Sequence, residues 1–568
     1  MHQLHTDFSL SMTTPQSALA LERLYSLAEQ FPNDVCMTQP MGQGVITHYT
    51  WADVLDQTSK MASHLMSLGL DKDTKIGILS KNTAHWLMAD WAIWMAGFIS
   101  VPLYPTSSSS SIQQILEHSD TQLLFVGKLD NWDLIKGAIP ASVACIDLPL
   151  APKTDHITWD SIVAFTNPLD KRVSRRAEEV CTLIYTSGTT GISKGVMHTF
   201  NTFAFSVEQG LKRVPLFKTD RILSYLPLSH IAERVMVEHV MLKTGAHIFF
   251  AESVETFLAD LQRARPTFFF SVPRLWIKFK DNIVQKIPEK KLSLLLSLPI
   301  IGGFIKKKIL KALGLDQTRI VASGAAPLPT QLVTWYQELG LSIIELYGMT
   351  ENCGLSHSTD PHAIRPGTVG LPHSMVESRI DAASGEIQMR GQCLMQGYYK
   401  DSEQTHAAFT NDGWLHTGDQ GHLDTLGNLV ITGRLKDLFK TSKGKYVVPA
   451  PIEEKLAVIE GVEACCVVGA FQNMPVGILS LSPERLKYCD NSSHKAQYEC
   501  ILLEKLNHIN QGLDAHERLS TLICLTTSWT IEDGFLTPTL KVKRNVIDQI
   551  YSPKYPEWCA LKNQIVWF

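Results

Sequence analysis

The sequence predicts an α/β protein with a large N-terminal core of mostly parallel sheets and flanking helices. A small β-rich subdomain and then a small α+β C-terminal unit follow. Three observations carry this prediction. Short β-rich runs at 75–80, 221–226, 247–250, 267–271, 319–323 and 342–346 alternate with helical patterns, the order that crossover connections turn into parallel sheets. From about 365 to 432 glycines become frequent and the strand candidates, 386–389 and 428–432, are short. Beyond Gly433-Arg434-Leu435-Lys436-Asp437, strand-like 466–469 and 522–525 stand beside a helical pattern around 501–513, enough for one more compact unit. With 568 residues the chain is too long for a single core.

Thr50 and Asp53 have capping-box spacing, and Val54, Leu55, Thr58, Met61, Ala62, Leu65 and Met66 then recur at helical period until Gly69 ends the run. The apolar stretch 86–105 is interrupted by Asp90, Gly97 and two prolines, so it is expected to be a buried helix followed by a strand rather than a membrane span. The serine run 107–111 is expected to be a polar loop leading into a helix near Ile112. Residues 181–184 are short and apolar like a buried strand. Cys465 and Cys466 lie in an apolar run and are expected in a core strand.

Residues 292–305 are mostly apolar and sit between Lys290-Lys291 and Lys306-Lys307-Lys308. At 1.5 Å per helical residue they reach roughly 21 Å, short of the ~30 Å hydrocarbon core. Two readings stay open: an internal helix pair turned at Gly302-Gly303, or peripheral contact of about 290–308 with an anionic membrane surface.

Bulk properties exclude several classes. A net charge of −4 supplies no basic field for nucleic acid. Eleven scattered cysteines without a Cys-x-x-Cys pair indicate neither a disulfide framework nor a zinc knuckle, and a reducing compartment fits. Residues 1–15 lack the basic-then-apolar order of a secretory signal, so the expected location is cytoplasmic, with the inner face of a membrane as the peripheral variant. Oligomeric state stays open.

The segment 185–195 crowds three glycines, five Ser/Thr hydroxyls and Lys194 into one turn. Glycines let backbone N–H groups converge on an anion, hydroxyls add donors, and a lysine supplies a compact cation for polyphosphate oxygens. No Gly-x-x-x-x-Gly-Lys-Ser/Thr can be laid over it. Taken alone, such a cluster is most often a flexible turn.

In spacing, this segment resembles the phosphate loop of the adenylate-forming superfamily, which includes acyl-CoA synthetases, luciferases and peptide-synthetase adenylation domains. Ser193 stands where that family usually has proline. The resemblance implies nucleotide contacts for Thr186, Ser187, Gly188, Thr189, Thr190, Gly191 and Lys194. Further motifs match in order along nearly the whole chain. The run 347–351 resembles the segment whose tyrosine, Tyr347, stacks on adenine beside Gly348 and Thr350, and whose glutamate, Glu351, holds Mg²⁺ together with Thr186. The run 323–327 places Gly324 and Ala325 where adenine and the acyl carboxylate approach the backbone. Asp419 resembles the ribose-binding carboxylate and Arg434 its arginine partner. His230 resembles a residue near the reacting carboxylate, while Thr186 and Lys541 take catalytic positions, Lys541 as the lysine of adenylation.

The runs 230–234, 271–275 and 537–544 are similar to those of long-chain acyl-CoA synthetases. That likeness implies an ATP- and Mg²⁺-dependent ligase that makes a fatty acyl-AMP and then transfers the acyl group to coenzyme A. It also implies that 1–435 is the AMP-binding core and 436–568 a small mobile α+β C-terminal lid, hinged near Lys436. Gly444 would lie beside the thiol channel after the lid swings. The stretch 471–482 is shorter than the family pattern, which bears on the acceptor. Two alternatives remain: an acyl-AMP ligase serving a carrier protein, and a silent nucleotide-binding scaffold at a membrane.

Overall fold

A computed structural model describes residues 18–187, 193–537, 539–561 and 564–568. The N-terminal core is built on two large sheets. The first has nine strands. Met37 and Thr38 of strand Val35–Gly42 pair in parallel with His247–Phe250, and the parallel ladder continues through Arg221–Ser224, Phe268–Ser271, Ile320–Gly324 and Ile343–Tyr347. Antiparallel strands close both edges, Val45–Thr50 at one end and His357–Ser358 with Leu371–Pro372 at the other. The second sheet has eight strands, with Lys75–Leu79, Ile99–Leu103, Leu123–Val126 and Ala144–Asp147 in parallel at its centre. The strand runs expected from β-branched and aromatic content thus form, displaced by one or two residues at their ends.

Helix Ala84–Met95 lies between the sheets and is buried along its whole length, including Trp86, Trp91 and Trp94. It therefore shows no polar face, and Asp90, which breaks its apolar run in sequence, is paired inside the core with Arg234. Arg234 also holds Glu238 at 2.6 Å, and all three side chains are fully buried. Removing Arg234 would leave two buried acids without a counter-charge.

Other local signals resolve in physical detail. The Thr50 side chain accepts from the Asp53 amide at 3.2 Å, and the Asp53 carboxylate accepts from the Thr50 amide at 2.9 Å, so the capping box opens helix Trp51–Ser67. The serine run is not a loop up to Ile112. Ser108 caps helix Ser109–His118 by accepting from the Ser111 amide at 3.3 Å, and the following serines form the first turn, because short hydroxyl side chains suit that position.

The lysine-flanked segment is a pair of helices, Glu289–Ser297 and Ile301–Leu313, but it does not turn at Gly302-Gly303. The break falls at Leu298-Pro299-Ile300. Leu298, held extended ahead of proline (ψ 129), ends the first helix, and both glycines lie inside the second.

Strands Glu377–Ile380, Glu386–Arg390, Leu415–Leu423 and Leu429–Arg434 make a separate antiparallel sheet, the β-rich subdomain. After the short turn Leu435–Asp437 the chain builds a further four-stranded sheet from Val462–Val468, Val476–Leu481, Leu522–Leu525 and Ile565–Trp567. Helix Ser492–Gln511 packs on it through Tyr498, Leu502 and Leu506. Cys466 is buried in this sheet and Cys465 half-buried beside it. Among the described residues, no helix is long and apolar enough to cross a membrane.

Candidate active site

The glycine-rich segment is framed by two antiparallel strands, Val180–Ser187 and Ser193–Thr199, with Thr186 opposite Lys194 and Ser187 opposite Ser193. The expectations for Gly188, Thr189, Thr190 and Gly191 lie outside the described residues. What is described is a hairpin whose ladder holds Thr186 and Lys194 side by side. The Lys194 ammonium stands 4.9 Å from the centre of the Tyr398 ring, a cation–π distance. The Tyr398 hydroxyl in turn donates to Glu351 Oε1 at 3.0 Å. One tyrosine thus links the lysine and the carboxylate expected at the phosphates and the metal.

Glu351 lies in the short turn Thr350–Asn352 just after strand Ile343–Tyr347. His198 Nε2 donates to the Thr350 carbonyl at 2.7 Å, and burial pulls the His198 pKa down to about 4, so this strut is a neutral imidazole. Gly348 is required by packing: a Cβ there would sit 2.4 Å from the carbonyl of Gly354. With Oε1 taken by Tyr398, Glu351 has a second oxygen to offer. A hard divalent cation bound mainly by phosphate oxygens and water needs no more than one or two protein oxygens, and the second Glu351 oxygen is of the kind it takes.

Asp419 and Arg434 are Cα partners across strands Leu415–Leu423 and Leu429–Arg434. Arg434 Nε donates to Asp419 Oδ1 at 3.0 Å, and the Tyr347 hydroxyl donates to Oδ2 at 2.7 Å. Asp419 holds the Arg434 pKa above its ordinary value, while burial and then Asp419 push the Tyr347 phenol upward. Only 6% of Asp419 is exposed whereas the Arg434 side chain stays 56% exposed, so the pair turns its cation outward. Gly418, whose amide donates to Glu386 Oε1 at 2.9 Å, fixes the turn from below.

Gly324 ends strand Ile320–Gly324, and Ala325 follows in a left-handed conformation, φ 67, exposed at the strand end. A non-glycine residue held there is strained backbone of the kind that collects at ligand sites.

His230 caps the short helix Ile231–Glu233 with its ring, Nδ1 accepting from the Ala232 amide at 3.2 Å. Burial, and then the Lys541 charge, pull its pKa to about 4. The ring is neutral near pH 7, and with Nδ1 used as acceptor its Nε2–H remains a donor. Below it, Asn82 Nδ2 donates to the Leu226 carbonyl at 2.6 Å and Asn82 Oδ1 accepts from the Leu228 amide at 3.0 Å. Glu233 accepts from Ser224 at 2.9 Å and from the Tyr225 amide at 3.0 Å, and burial raises its pKa to about 8.

Lys541 arrives from the C-terminal sheet on a tight turn. Leu536 bridges Val542, the Thr537 amide donates to the Lys541 carbonyl at 2.8 Å, and Thr537 Oγ1 accepts the Lys541 amide at 3.0 Å. Protein crowds the ammonium yet leaves it open to solvent along the cleft. Its pKa is lowered by that crowding and by Arg434, against the opposite pull of Asp419 and Glu351. Lys541 thus lies within electrostatic reach of His230, Arg434, Asp419 and Glu351. Arg274 holds Glu463 of the C-terminal sheet at 2.8 Å, a direct tie between the two parts of the chain.

Gly444 is not brought to this cluster. It lies in an exposed hairpin, φ 74, with no atom within 4 Å of where a Cβ would stand. The neighbouring Ser442 is bonded to Gln472 and Asn473. Sequence reading also missed Tyr398, Asn82 and His198. Gly397-Tyr-Tyr-Lys400, two aromatics between a glycine and a lysine, was the available signal for the first.

Residues 24–399 match the AMP-binding enzyme family, and the chain belongs to it: an AMP-forming, acid-activating enzyme that uses ATP. Full-length relatives narrow the comparison. A long-chain-fatty-acid–CoA ligase of Rattus norvegicus is 28% identical over 585 residues, covering 88% of this chain and 87% of that protein. The peroxisomal long chain acyl-CoA synthetase 7 of Arabidopsis thaliana is 29% identical over 573 residues, with 89% and 81% covered. Among solved structures, an anthranilate CoA ligase in complex with anthranoyl-AMP is similar in fold, with a TM-score of 0.78 at 20% identity over 96% of this chain and 99% of that one.

Proposed function

We propose that the protein activates a long-chain fatty acid as its acyl-AMP, releasing pyrophosphate, and then passes the acyl group to coenzyme A. The observation that carries the first half is the position of Lys541 among Arg434, Asp419, Glu351 and His230. In adenylation a carboxylate oxygen bonds to the α-phosphorus while the bond to the bridging oxygen of pyrophosphate breaks, and the electron pair leaves with pyrophosphate. Two anions must approach one another. The Lys541 ammonium lowers that repulsion and follows the charge as it shifts to the leaving group.

Asp419 accepts from the ribose hydroxyls with Arg434 beside it. Tyr347 and the backbone of Gly324, Ala325, Gly348 and Thr350 form the adenine wall. Lys194 with Thr186, Ser187 and the glycine-rich turn holds the phosphates. Mg²⁺ held by Glu351 and Thr186 would neutralise phosphate charge. Neutral His230 donates to the acid's carboxylate.

For the second half, residues 436–568 act as a lid turning near Lys436, which withdraws Lys541 and brings Gly444 to the thiol channel. Sulfur then attacks the acyl carbon, the carbon–oxygen bond to phosphate breaks, and AMP departs. Support for this step is the exposed turn at Lys436 and the exposed hairpin that carries Gly444. Support for the acyl class is the naming of the relatives above.

Pyrophosphate release measured against carboxylic acids of increasing length, with and without coenzyme A, tests the reading. Thioester formation on long acids is expected. Pyrophosphate without thioester would move the acceptor to a carrier protein, and no pyrophosphate with any acid would defeat the enzyme reading.

A further inference from the structure

The helical hairpin Glu289–Ser297 and Ile301–Leu313 has two unlike faces. Inward, Leu292 and Leu313 are buried, and Leu296 and Ile309 pack against the cluster that contains Phe269, Trp276 and Tyr336. Outward, Leu294, Leu298, Ile300, Ile301 and Phe304 are exposed, Ile300 to 91% and Phe304 to 71%. Single exposed apolar residues are ordinary, but five gathered on one hairpin form a patch that water does not favour.

The tip is also built to keep that patch outward. Ile300 has φ 67 and ψ −56, and the Ile301 amide donates to the Pro299 carbonyl at 2.7 Å, which together make the rarer, strained form of γ-turn. A β-branched residue adopts it at a cost. Gly302 lets the second helix begin against the first, since a Cβ there would stand 2.3 Å from the Leu296 carbonyl.

Charge supplies the identity of the partner. Residues 286–311 contain seven lysines and a single acid, Glu289, in a chain whose net charge is −4. Glu289 is already held by Lys280 at 2.9 Å. Lys290, Lys291, Lys307 and Lys308 are exposed, and none has a carboxylate within ion-pair distance among the described residues. A second copy docking tip to tip would bring these lysine sets together, like charge on like charge. An acidic surface that also accepts hydrocarbon matches both halves of the patch.

We propose that this hairpin seats the protein on an anionic phospholipid bilayer. Ile300, Ile301 and Phe304 enter the headgroup–acyl boundary, and the lysines reach lipid phosphates and carboxylates. The long lysine stems let the ammonium groups stay at headgroup level while the tip is immersed. The helices, nine and thirteen residues long, lie on the membrane rather than cross it. The inference is independent of which acid the active site takes.

The test is co-sedimentation of the full chain with vesicles of phosphatidylcholine alone or with one third phosphatidylserine. At low salt the wild type is expected to bind the anionic vesicles at least about tenfold better than the neutral ones, and to release as salt rises. Ile300→Ser with Phe304→Ser is expected to weaken binding by about tenfold or more, and Lys307→Glu with Lys308→Glu to erase the preference for phosphatidylserine. Thermal melting and pyrophosphate release with a short, water-soluble acid should match wild type in both variants. If the serine variant melts early, the charge-reversal variant carries the test. Absence of wild-type binding, equal binding to both vesicles, or variants that bind like wild type would overturn the proposal. So would variants that dissolve a concentration-dependent dimer while vesicle binding stays unchanged.

Discussion

Replacing Lys541 with alanine should separate the two half-reactions. Two unit charges about 4 Å apart interact by about 4 kcal/mol at an effective dielectric near 20. The Lys541 side chain is open to solvent along the cleft, so screening reduces its share to about 2–3 kcal/mol, roughly a hundredfold in the adenylation rate. The first half is read as pyrophosphate release at saturating ATP without coenzyme A, and the second as thioester formation from supplied acyl-AMP. The variant should lose the first by roughly a hundredfold and keep the second within about threefold. Lys541→Arg should recover part of the loss, since charge survives while shape changes. The lowered Lys541 pKa means the cation is lost at a less alkaline pH than for a free lysine, so adenylation declines on the alkaline side. Because Arg434 contributes to that lowering, Arg434→Gln should move the alkaline limb to higher pH. Equal loss of both halves, or an unaffected first half, would refute the assignment of Lys541 to adenylation.

Three further outcomes are expected. Asp419→Asn removes the ion pair to Arg434 and weakens the acceptor of the Tyr347 hydroxyl, so KM for ATP should rise tenfold to a hundredfold, from about 1.5–3 kcal/mol per charged hydrogen bond. An unchanged KM in an ATP titration would remove Asp419 from the nucleotide site. Gly348→Ala forces a Cβ against the Gly354 carbonyl and should cost about 1–3 kcal/mol, seen as a lower Tm; equal melting would contradict the packing described. Glu233 has its folded pKa raised to about 8, so the stability of its neutral form is fully present below the ordinary glutamate range and is lost as pH rises through about 8. Glu233→Gln should therefore flatten the decline of Tm over that interval, and a parallel decline in both proteins would show that Glu233 is ionised in the fold.

Much of the fold was legible because its signals are local. Strand runs of Phe, Ile and Val, the Thr50–Asp53 cap and the switch to short strands after 365 each depend on neighbours in sequence. Residue types with strong chemistry, Lys541, Asp419, Arg434, Glu351 and His230, could be singled out for the same reason, through short motifs. Tyr398 and Asn82 were not legible. Tyr398 matters through Glu351 and Lys194, and Asn82 through backbone groups at Leu226 and Leu228, contacts that only the folded sheets create. The helix-hairpin turn was misplaced because two glycines look like a bend, whereas here Pro299 ends the helix and Gly302 serves contact between helices. In the serine run, cap and first turn share one residue type, so no boundary is visible in composition.

Arg434 is the last residue of its strand, and the turn Leu435–Asp437 starts with the very next peptide bond. No spare length of chain separates the side chain gripping Asp419 from the point where the backbone leaves the β-rich sheet. In the proposed lid swing, whatever displaces that guanidinium would be felt at the turn as torque, like the root of a crank set directly on its axle. Inserting two or three flexible residues there would leave each half folded while slackening the coupling between them.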